Sequence, residues 1–375
     1  ENPADMTSKI VNPHFDNGDC TTGWSGDAFG RGGTVSDGAE HYSKNYDTYQ
    51  TITGLAPGLY CVGVYGYYRS GNYDGTAQNH WLANDDASRY GKLYAKVGET
   101  TFETPIANVM SGAQTENPGA NEVTYTDPDT EEEVTVYVPN TMAQGDVYFH
   151  TLHQYANKLY VAVDESGELT IGVKKTSQIG GDWSMFDDFS LSYLGTGADA
   201  AKLYLDETLK NYGEYTPEEG TIYTASYLTA YQDAINANDK VAENLAAATA
   251  IISGIDSKKK DLDKNIELWQ DLKDAADKGQ KMAVDPKYDG LLTIGDLADY
   301  VEEYEEIEAA AKLTNEELEA ELAKVNEMID QVINESKADV HDGKDMTDYI
   351  KNPGFDEDKD IDFNGAEGWT IDRKR

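Results

Sequence analysis

TYQTITGLAPGLYCVGVYGYYRSG, residues 48–71, decides the fold. Two runs rich in Tyr, Val, Ile and Thr stand either side of Ala-Pro-Gly, which is β-type composition around a turn. In the second run the side chains alternate: Tyr60, Val62 and Val64 are the more apolar set, and Tyr65, Tyr67 and Arg69 fall on the opposite face. A period of two belongs to a strand with one face for a core. The same texture continues in EEVTVYVP (132–139), in KLYVAVDESGELTIGVKK (158–175), where Glu165 to Gly167 read as a hairpin turn, and in FDDFSLSYLG (186–195). Many short strands with regular turn signals and no helical periodicity between them predict an antiparallel sandwich or barrel.

Beyond Gly195 the period changes. Leu318, Leu322, Val325, Ile329 and Val332 share one helical stripe, opened by a capping box of Thr314 and Glu317. Leu262, Ile266, Trp269, Leu272 and Ala276 make a second stripe, with Gly279 read as its C-terminal cap. Leu297, Val301, Tyr304 and Ile307 make a third. Leu228, Tyr231 and Ile235 mark a further helix, and Leu205, Leu209 and Tyr212 one before it. Such helices bury their stripes against one another, which predicts an up-and-down bundle with Trp269 in its core. The expected chain is multidomain: an all-β jelly-roll sandwich over 1–196, followed by an all-α helical bundle over 197–340.

KIVNPHFDNGDCTTGW (9–24) has a counterpart in YIKNPGFDEDKDIDFNGAEGW (349–369). Both carry Asn-Pro, one residue, Phe-Asp and then Gly-Trp, and Asp-Met-Thr precedes each. Repetition of this kind marks one module type used twice. The expectation is that 341–375 is the truncated start of a second β-sandwich module in a longer protein. Asp360, Asp362, Asn364 and Gly365 imitate half of an EF-hand loop, but Ile371 stands where a bidentate Glu is needed, and the motif is rejected.

The chain has 70 acidic and 30 basic residues, a formal net charge of -40. Repulsion from phosphates argues against nucleic acid and anionic lipid as partners. No apolar stretch approaches the roughly 20 residues that cross a bilayer, so direct membrane insertion is not expected. The 26 tyrosines, abundant Asn, Gly and Thr, and two cysteines suit an extracytoplasmic chain, whether secreted, periplasmic or at the cell surface. Cys20 and Cys61 are open to a disulfide or to two free thiols.

NPHFDNGDCTTGW, AEHYSKNYDTYQTITGLAPGLYCVGVYGYYRSG, YVPNTM, LTIGVKK and GDWSMFDDFSLSYLG occur in that order across residues 5–195. Together they resemble the galactose-binding-domain-like β-sandwich modules of secreted and surface proteins of Bacteroidetes, similar in plan to family 4, 9 and 22 carbohydrate-binding modules. YTASYLTAYQDAINANDKVAENLAAATAIISGIDSKKKDL (223–262) resembles, more loosely, FIVAR-type helical spacers. The first resemblance implies a module that either displays a glycan site or serves as a structural accessory. It also implies one structural calcium between the start and the end of the module. Asp16 and Asp188 match those places, with Asp187 as the neighbour pointing the other way.

Tyr65, Tyr67 and Arg69 offer aromatic faces for the C–H patches of a sugar and planar donors for its hydroxyls. The competing reading is a face covered by a loop or by the helices. AQNHWLAND (77–85) lacks strand alternation and reads as a loop, so Gln78, Asn79, His80 and Trp81 form a second cluster, with Trp81 either an exposed platform or a plug. Trp24 and Trp183 belong to framework phrases and are read as packing. His150 and His153 could ligate a metal if helical, but a pair without a third ligand is read as structural. No nucleophile elbow, phosphate-binding Gly-Lys loop, His-Glu-x-x-His or Cys-x-x-Cys occurs. The expectation is a non-catalytic glycan-binding or accessory module of a glycan-utilisation protein, a monomer carried on a helical spacer. Against it stand a structural stalk or protein-interaction region without sugar affinity, and an enzyme whose catalytic domain lies beyond Arg375. An open aromatic groove at either cluster separates the first reading from the second.

Overall fold

The computed structural model describes residues 3–32, 37–72, 75–118, 120–237 and 240–338. The expected second sandwich at 341–375 and the EF-hand-like segment lie outside the described residues. In chain order the strands are β1 (Ala4–Asp5), β2 (Ser25–Gly26), β3 (Ala39–Tyr42), β4 (Tyr46–Ile52), β5 (Gly58–Arg69), β6 (Lys92–Val97), β7 (Thr100–Pro105), β8 (Asn121–Thr126), β9 (Glu133–Val138), β10 (Ala156–Val163), β11 (Leu169–Lys175) and β12 (Trp183–Gly195). The helices are α1 (Thr76–Ala83), α2 (Met142–Asp146), α3 (Ala198–Thr208), α4 (Ala225–Asn236), α5 (Leu245–Ala283), α6 (Leu292–Ala310) and α7 (Asn315–Ala338). They form two compact units, Glu1–Gly213 with Asn238–Ser253, and Glu214–Ala237 with Gly254–Arg375.

The first unit is a sandwich of two five-stranded sheets. Sheet A has the order β1-β12-β5-β10, with β3 also on β12; sheet B has the order β2-β4-β11-β6-β7; β8 and β9 pair separately. Every ladder is antiparallel. Tyr60, Val62 and Val64 of β5 join Phe186, Phe189 and Leu191 of β12 in a core shared with Leu93, Ala95, Ile171 and Val173 of sheet B. The apolar set seen in the alternation of β5 is thus the set that faces inward. Consecutive strands β4 and β5 lie in different sheets, and so do β10 and β11. The segment expected as a hairpin turn is therefore an arch between sheets. Gly167 turns it at φ 63, where a Cβ would come within 2.6 Å of the Leu55 carbonyl oxygen.

The opening phrase plugs one end of the sandwich. Phe15 is fully buried with a left-handed φ of 51°, sits edge-on to Phe29 at 5.1 Å, and Trp24 rests on Phe189 at 4.5 Å. The Pro13 carbonyl accepts the Phe189 N–H at 2.9 Å, which ties this phrase to the last strand. Cys20 is buried nearby, whereas Cys61 is half-buried on sheet A; both are free thiols.

Two additions cover the outer face of sheet A. Residues 106–155, between β7 and β10, carry the β8–β9 hairpin, α2 and a π-turn, Val147–Thr151. They build a second core in which Val109, Val138, Met142, Tyr148, Phe149 and Tyr155 close over Tyr67, Trp183 and Met185. At the other end α3 sets Ala200, Ala201, Tyr204 and Leu205 against Leu59 of β5, together with Leu245, Ala248 and Ile252 of α5. The stripe on α3 is therefore spent on the sandwich and not on a bundle.

In the second unit α6, α7 and α5 from Gly254 onward bury Trp269, Leu272, Leu297, Tyr300, Leu318, Val325 and Ile329, and α4 buries Tyr231 and Ile235. Asn265, wholly buried, links three segments: its Oδ1 accepts the Thr224 N–H at 2.7 Å, its Nδ2 donates to Asn315 Oδ1 at 2.9 Å, and Trp269 Nε1 donates to Thr224 Oγ1 at 3.1 Å. A buried polar network of this kind fixes one register of the helices, because every slipped arrangement strands a polar group. Thr314 and Glu317 form the expected capping box, with N–H to side-chain distances of 2.8 and 3.2 Å. Gly279 does not end its helix. α5 continues to Ala283, and a Cβ on Gly279 would come within 3.1 Å of Leu297 and 3.2 Å of Val301, so glycine is what lets α6 approach. Among the described residues no helix is long and apolar enough to cross a membrane.

Candidate functional site

Tyr65, Tyr67 and Arg69 share the outer face of β5, as the alternation requires, but that face is not open. Tyr67 is fully buried, edge-on to Trp183 and to Tyr155 at 5.1 Å each, with its hydroxyl directed to Met185 Sδ at 3.5 Å. Burial pushes its phenol well above the ordinary value. Arg69 is 4% exposed; it donates to the carbonyls of Gly71 at 2.8 Å and Gly181 at 3.0 Å and to Asn140 Oδ1, and its guanidinium lies over Trp183 at 5.2 Å. Of the three, Tyr65 keeps part of its ring at the surface, stacked on Phe149 at 5.9 Å. The expected exposed row is corrected to a roofed one. Trp183, by contrast, packs as expected.

Residues 77–85 also differ from expectation, since they begin within α1 rather than in a loop. Trp81 is half-buried, edge-on to Tyr125 at 5.8 Å, and Gln78 Nε2 donates to the Thr124 carbonyl at 3.4 Å. His80 Nδ1 meets Asp85 Oδ2 at 2.6 Å, and Asn79 stays exposed. Trp81 acts as a plug that pins α1 to β8. With Ala77 as the one fully buried residue in eight, α1 carries no apolar stripe from which its period could be read.

The pair assigned to calcium stands apart in its contacts. Asp16 is exposed on a 3-10 turn, and the adjoining Phe15 carbonyl accepts from Arg31 Nη2 at 2.5 Å, while Arg31 Nε donates to the Gly38 carbonyl at 3.0 Å. A fixed cation already engages the backbone oxygens of this phrase. Asp188 sits at a β-bulge in β12 at φ 49, one extra residue lying between Asp187, opposite Tyr65, and Ser190, opposite Gly63. His14 Nδ1 meets Asp188 Oδ1 at 2.5 Å, and His150 Nε2 lies 3.2 Å from Asp188 Oδ2 and 3.9 Å from Asp187 Oδ2. His150 Nδ1 meets Asp146 Oδ1 at 2.8 Å. Calcium takes six to eight oxygens, so a donor set with two imidazoles against Asp188 does not fit it. His153, exposed and at φ 53, is not among these partners.

Charge in this cluster is set by burial and by neighbours. Burial pushes the Asp187 carboxyl up to about 7, against the downward pull of the Asp188 N–H. Burial alone would lower His150, but its hydrogen bond to Asp146 and the charges of Asp187 and Asp188 outweigh that and raise it.

A cleft of about 250 Å³ opens at the β10 edge of sheet A, lined by Phe102, Thr104, Lys158, Tyr160, Glu207 and Asn211 among others. Strand alternation turns Lys158 and Tyr160 outward on β10, the last turn of α3 brings Glu207, and the 3-10 turn Leu209–Asn211 brings Asn211. Lys210 Nζ pairs with Glu207 Oε2 at 2.7 Å. Two aromatic rings, an amide, a carboxylate and two ammonium groups, those of Lys158 and Lys210, therefore converge on one concavity. KLYVAV held the signal for Lys158 and Tyr160; Glu207 and Asn211 were hidden by assigning their helix to the bundle.

No family model matches the chain. No curated protein matches it either. Among solved structures, the chain is similar to the enzymatically active domain of bacteriophage CBA120 tailspike protein 4, at 10% identity over 50% of this chain and 21% of that one, with a TM-score of 0.26. It is also similar to a family 16 carbohydrate binding module, at 10% identity over 48% of this chain and 97% of that one, TM-score 0.24. A third similarity is to the CBM22-1 xylan-binding domain from Paenibacillus barcinonensis Xyn10C, at 9% identity over 48% and 93%, TM-score 0.24. The fold assignment rests on the strand order and register given above.

Proposed function

We propose that the first unit is a non-catalytic carbohydrate-binding or accessory module of a secreted or cell-surface protein that handles glycans, with the helical unit as its spacer. The observation that carries this reading is the Tyr160 cleft. A sugar presents C–H patches, which prefer an aromatic face, beside hydroxyls, which need planar donors and acceptors. Phe102 and Tyr160 supply the first, and Asn211, Glu207 and Lys158 the second. Tyr65 extends the site along the same face. Tyr160 pairs with Cys61, and Tyr65 lies four residues further along β5, roughly 13 Å away at strand rise. A glycan chain seated in the cleft has the length to reach it.

The test is a glycan array spanning plant, host and microbial sugars, with calorimetry on any hit. Tyr160→Ala is expected to weaken binding by at least about tenfold, or about 1.4 kcal/mol, measured below its own thermal transition, which the loss of a ring packed against the α3 core lowers. No binding across the array removes the reading, and unchanged affinity in Tyr160→Ala removes this cleft. The second reading, a structural stalk without sugar affinity, is favoured by the roof over Tyr67 and Arg69, and it expects an empty array.

A further inference from the structure

We infer that a cleft on the outer face of sheet B binds one anionic group, a carboxylate or a sulfate, of an acidic sugar. The cleft holds about 330 Å³ and is lined by Arg89, Tyr90, Lys92, Glu103, Lys174 and Lys175 among others. Its charges do not balance. Lys92 of β6 and Lys174 of β11 stand directly opposite in the antiparallel ladder, and like charges in that position repel. The carboxylates at hand are engaged by other cations: Glu103 pairs with Lys174 at 2.7 Å, Asp86 with Arg89 at 3.5 Å, and Asp182 with Lys175, each side chain of that last pair 1% exposed. Four cations thus meet three carboxylates, and Lys92 makes no ion pair or hydrogen bond among the described residues.

Lys92 is half-buried, so water screens its charge only in part. Burial lowers its ammonium most; Glu103 pulls it back up, and Arg89 and Lys174 press it down again. An anion between Lys92 and Arg89 relieves both the burial and the repulsion. The guanidinium is already oriented for it, since Nη2 donates to the Asn84 carbonyl at 3.1 Å and Nη1 to Asn84 Oδ1. A planar fork beside an ammonium is the donor set that carboxylates and sulfates take. Tyr90 and Thr176 add an aromatic ring and a hydroxyl at the same place, which suit the ring and hydroxyls of a sugar. The sugar half of the inference rests on the reading of the first unit as a glycan module. The whole chain carries a net charge of -40, so one acidic residue at a glycan end or branch fits here, whereas a polyanion is repelled. The cleft shares no lining residue with the Tyr160 cleft.

The experiment titrates the full chain at low salt, by calorimetry and saturation-transfer NMR, with D-glucuronate, a glucose sulfate monoester, D-glucose and sodium sulfate. One acidic sugar per chain is expected, bound at least about tenfold tighter than glucose; the tighter of the two acids names the anionic group. Lys92→Met should abolish that preference and, because it also removes the cross-strand repulsion, should leave Tm unchanged or higher. Glu103→Gln, which frees Lys174, should tighten the acidic sugar by about two- to fivefold. Tyr160→Ala should leave the preference intact. A preference that survives in Lys92→Met, a Tm that falls by several degrees in that variant, or no gain in Glu103→Gln overturns the site. So does sodium sulfate binding as tightly as the acidic sugars, which marks an adventitious ion only. Glycan-array hits indifferent to acid overturn this cleft and keep the module reading, and an empty array removes both.

Discussion

The outer faces of the two sheets carry similar side chains in opposite situations. On sheet B, Tyr94 lies across Gly172, where a Cβ would come within 2.8 Å of its ring, and its hydroxyl reaches Asp47 Oδ1 at 2.8 Å. Lys174 covers that ring at 5.4 Å and pairs with Glu103 at 2.7 Å. The face is finished by its own side chains. On sheet A, Tyr67 and Trp183 are finished by other segments of chain, because the connection from β7 to β10 is long enough to build a core of its own. An aromatic on the outward side of a strand is thus not yet a binding platform; the length of the nearest connection decides what covers it.

Removing a ring breaks or sharpens this contrast. Tyr67→Ala is expected to cost about 3–5 kcal/mol, as for other fully buried aromatics, and to expose residues 106–155 to protease; denaturant unfolding and limited proteolysis check it. A loss below about 1 kcal/mol would mean that the roof is not there.

A smaller effect is expected between the sheets. His41 is 2% exposed, stacked on Tyr46 at 4.2 Å with Nε2 2.8 Å from Thr48 Oγ1. Burial, with the charges of Lys44 and Lys175, lowers its pKa to about 3 from 6.5. Below 6.5 the unfolded chain takes up a proton that the folded chain refuses, so stability is complete above 6.5 and is lost progressively down to about 3. At pH 5 the loss is about 2 kcal/mol. Urea melts at pH 7 and pH 5 should show this increment in the parent and not in His41→Phe; equal slopes would place His41 in contact with water.

The smallest effect belongs to the open face. Tyr94→Phe is expected to cost about 0.5–1 kcal/mol, since it removes one hydrogen bond to an exposed carboxylate and leaves the ring in place. A cost equal to that of Tyr67→Ala would erase the distinction between the faces.

Much of the architecture was legible where a local period records a local fact. The alternation in β5 separated Tyr60, Val62 and Val64 from Tyr65, Tyr67 and Arg69 correctly, and the stripe through Leu318, Val325, Ile329 and Val332 marked the buried side of α7. What a period does not record is the identity of the covering segment. For that reason the row through Tyr67 passed for a surface, the stripe on α3 for part of the bundle, and Gly279 for a cap instead of a crossing point. The candidate site suffered in the same way. Lys158 and Tyr160 went unread although they alternate outward on β10, because the partners that make them a cleft come from α3, and the partners of Asp188 come from the insertion and the opening phrase.

The pairing of Ala4 with Tyr193 has a consequence for the birth of the molecule. The first strand of sheet A has no neighbour until the twelfth leaves the ribosome, a wait of roughly 10–40 s at common elongation rates. β5 waits for β10 and β12, and β4 for β11, so apart from the pairs β2–β4 and β6–β7 the two sheets of the sandwich cannot form early. Its maturation is therefore set by the arrival of residues 183–195, and a chain cut short of them leaves strand edges bare, which is where aggregation begins.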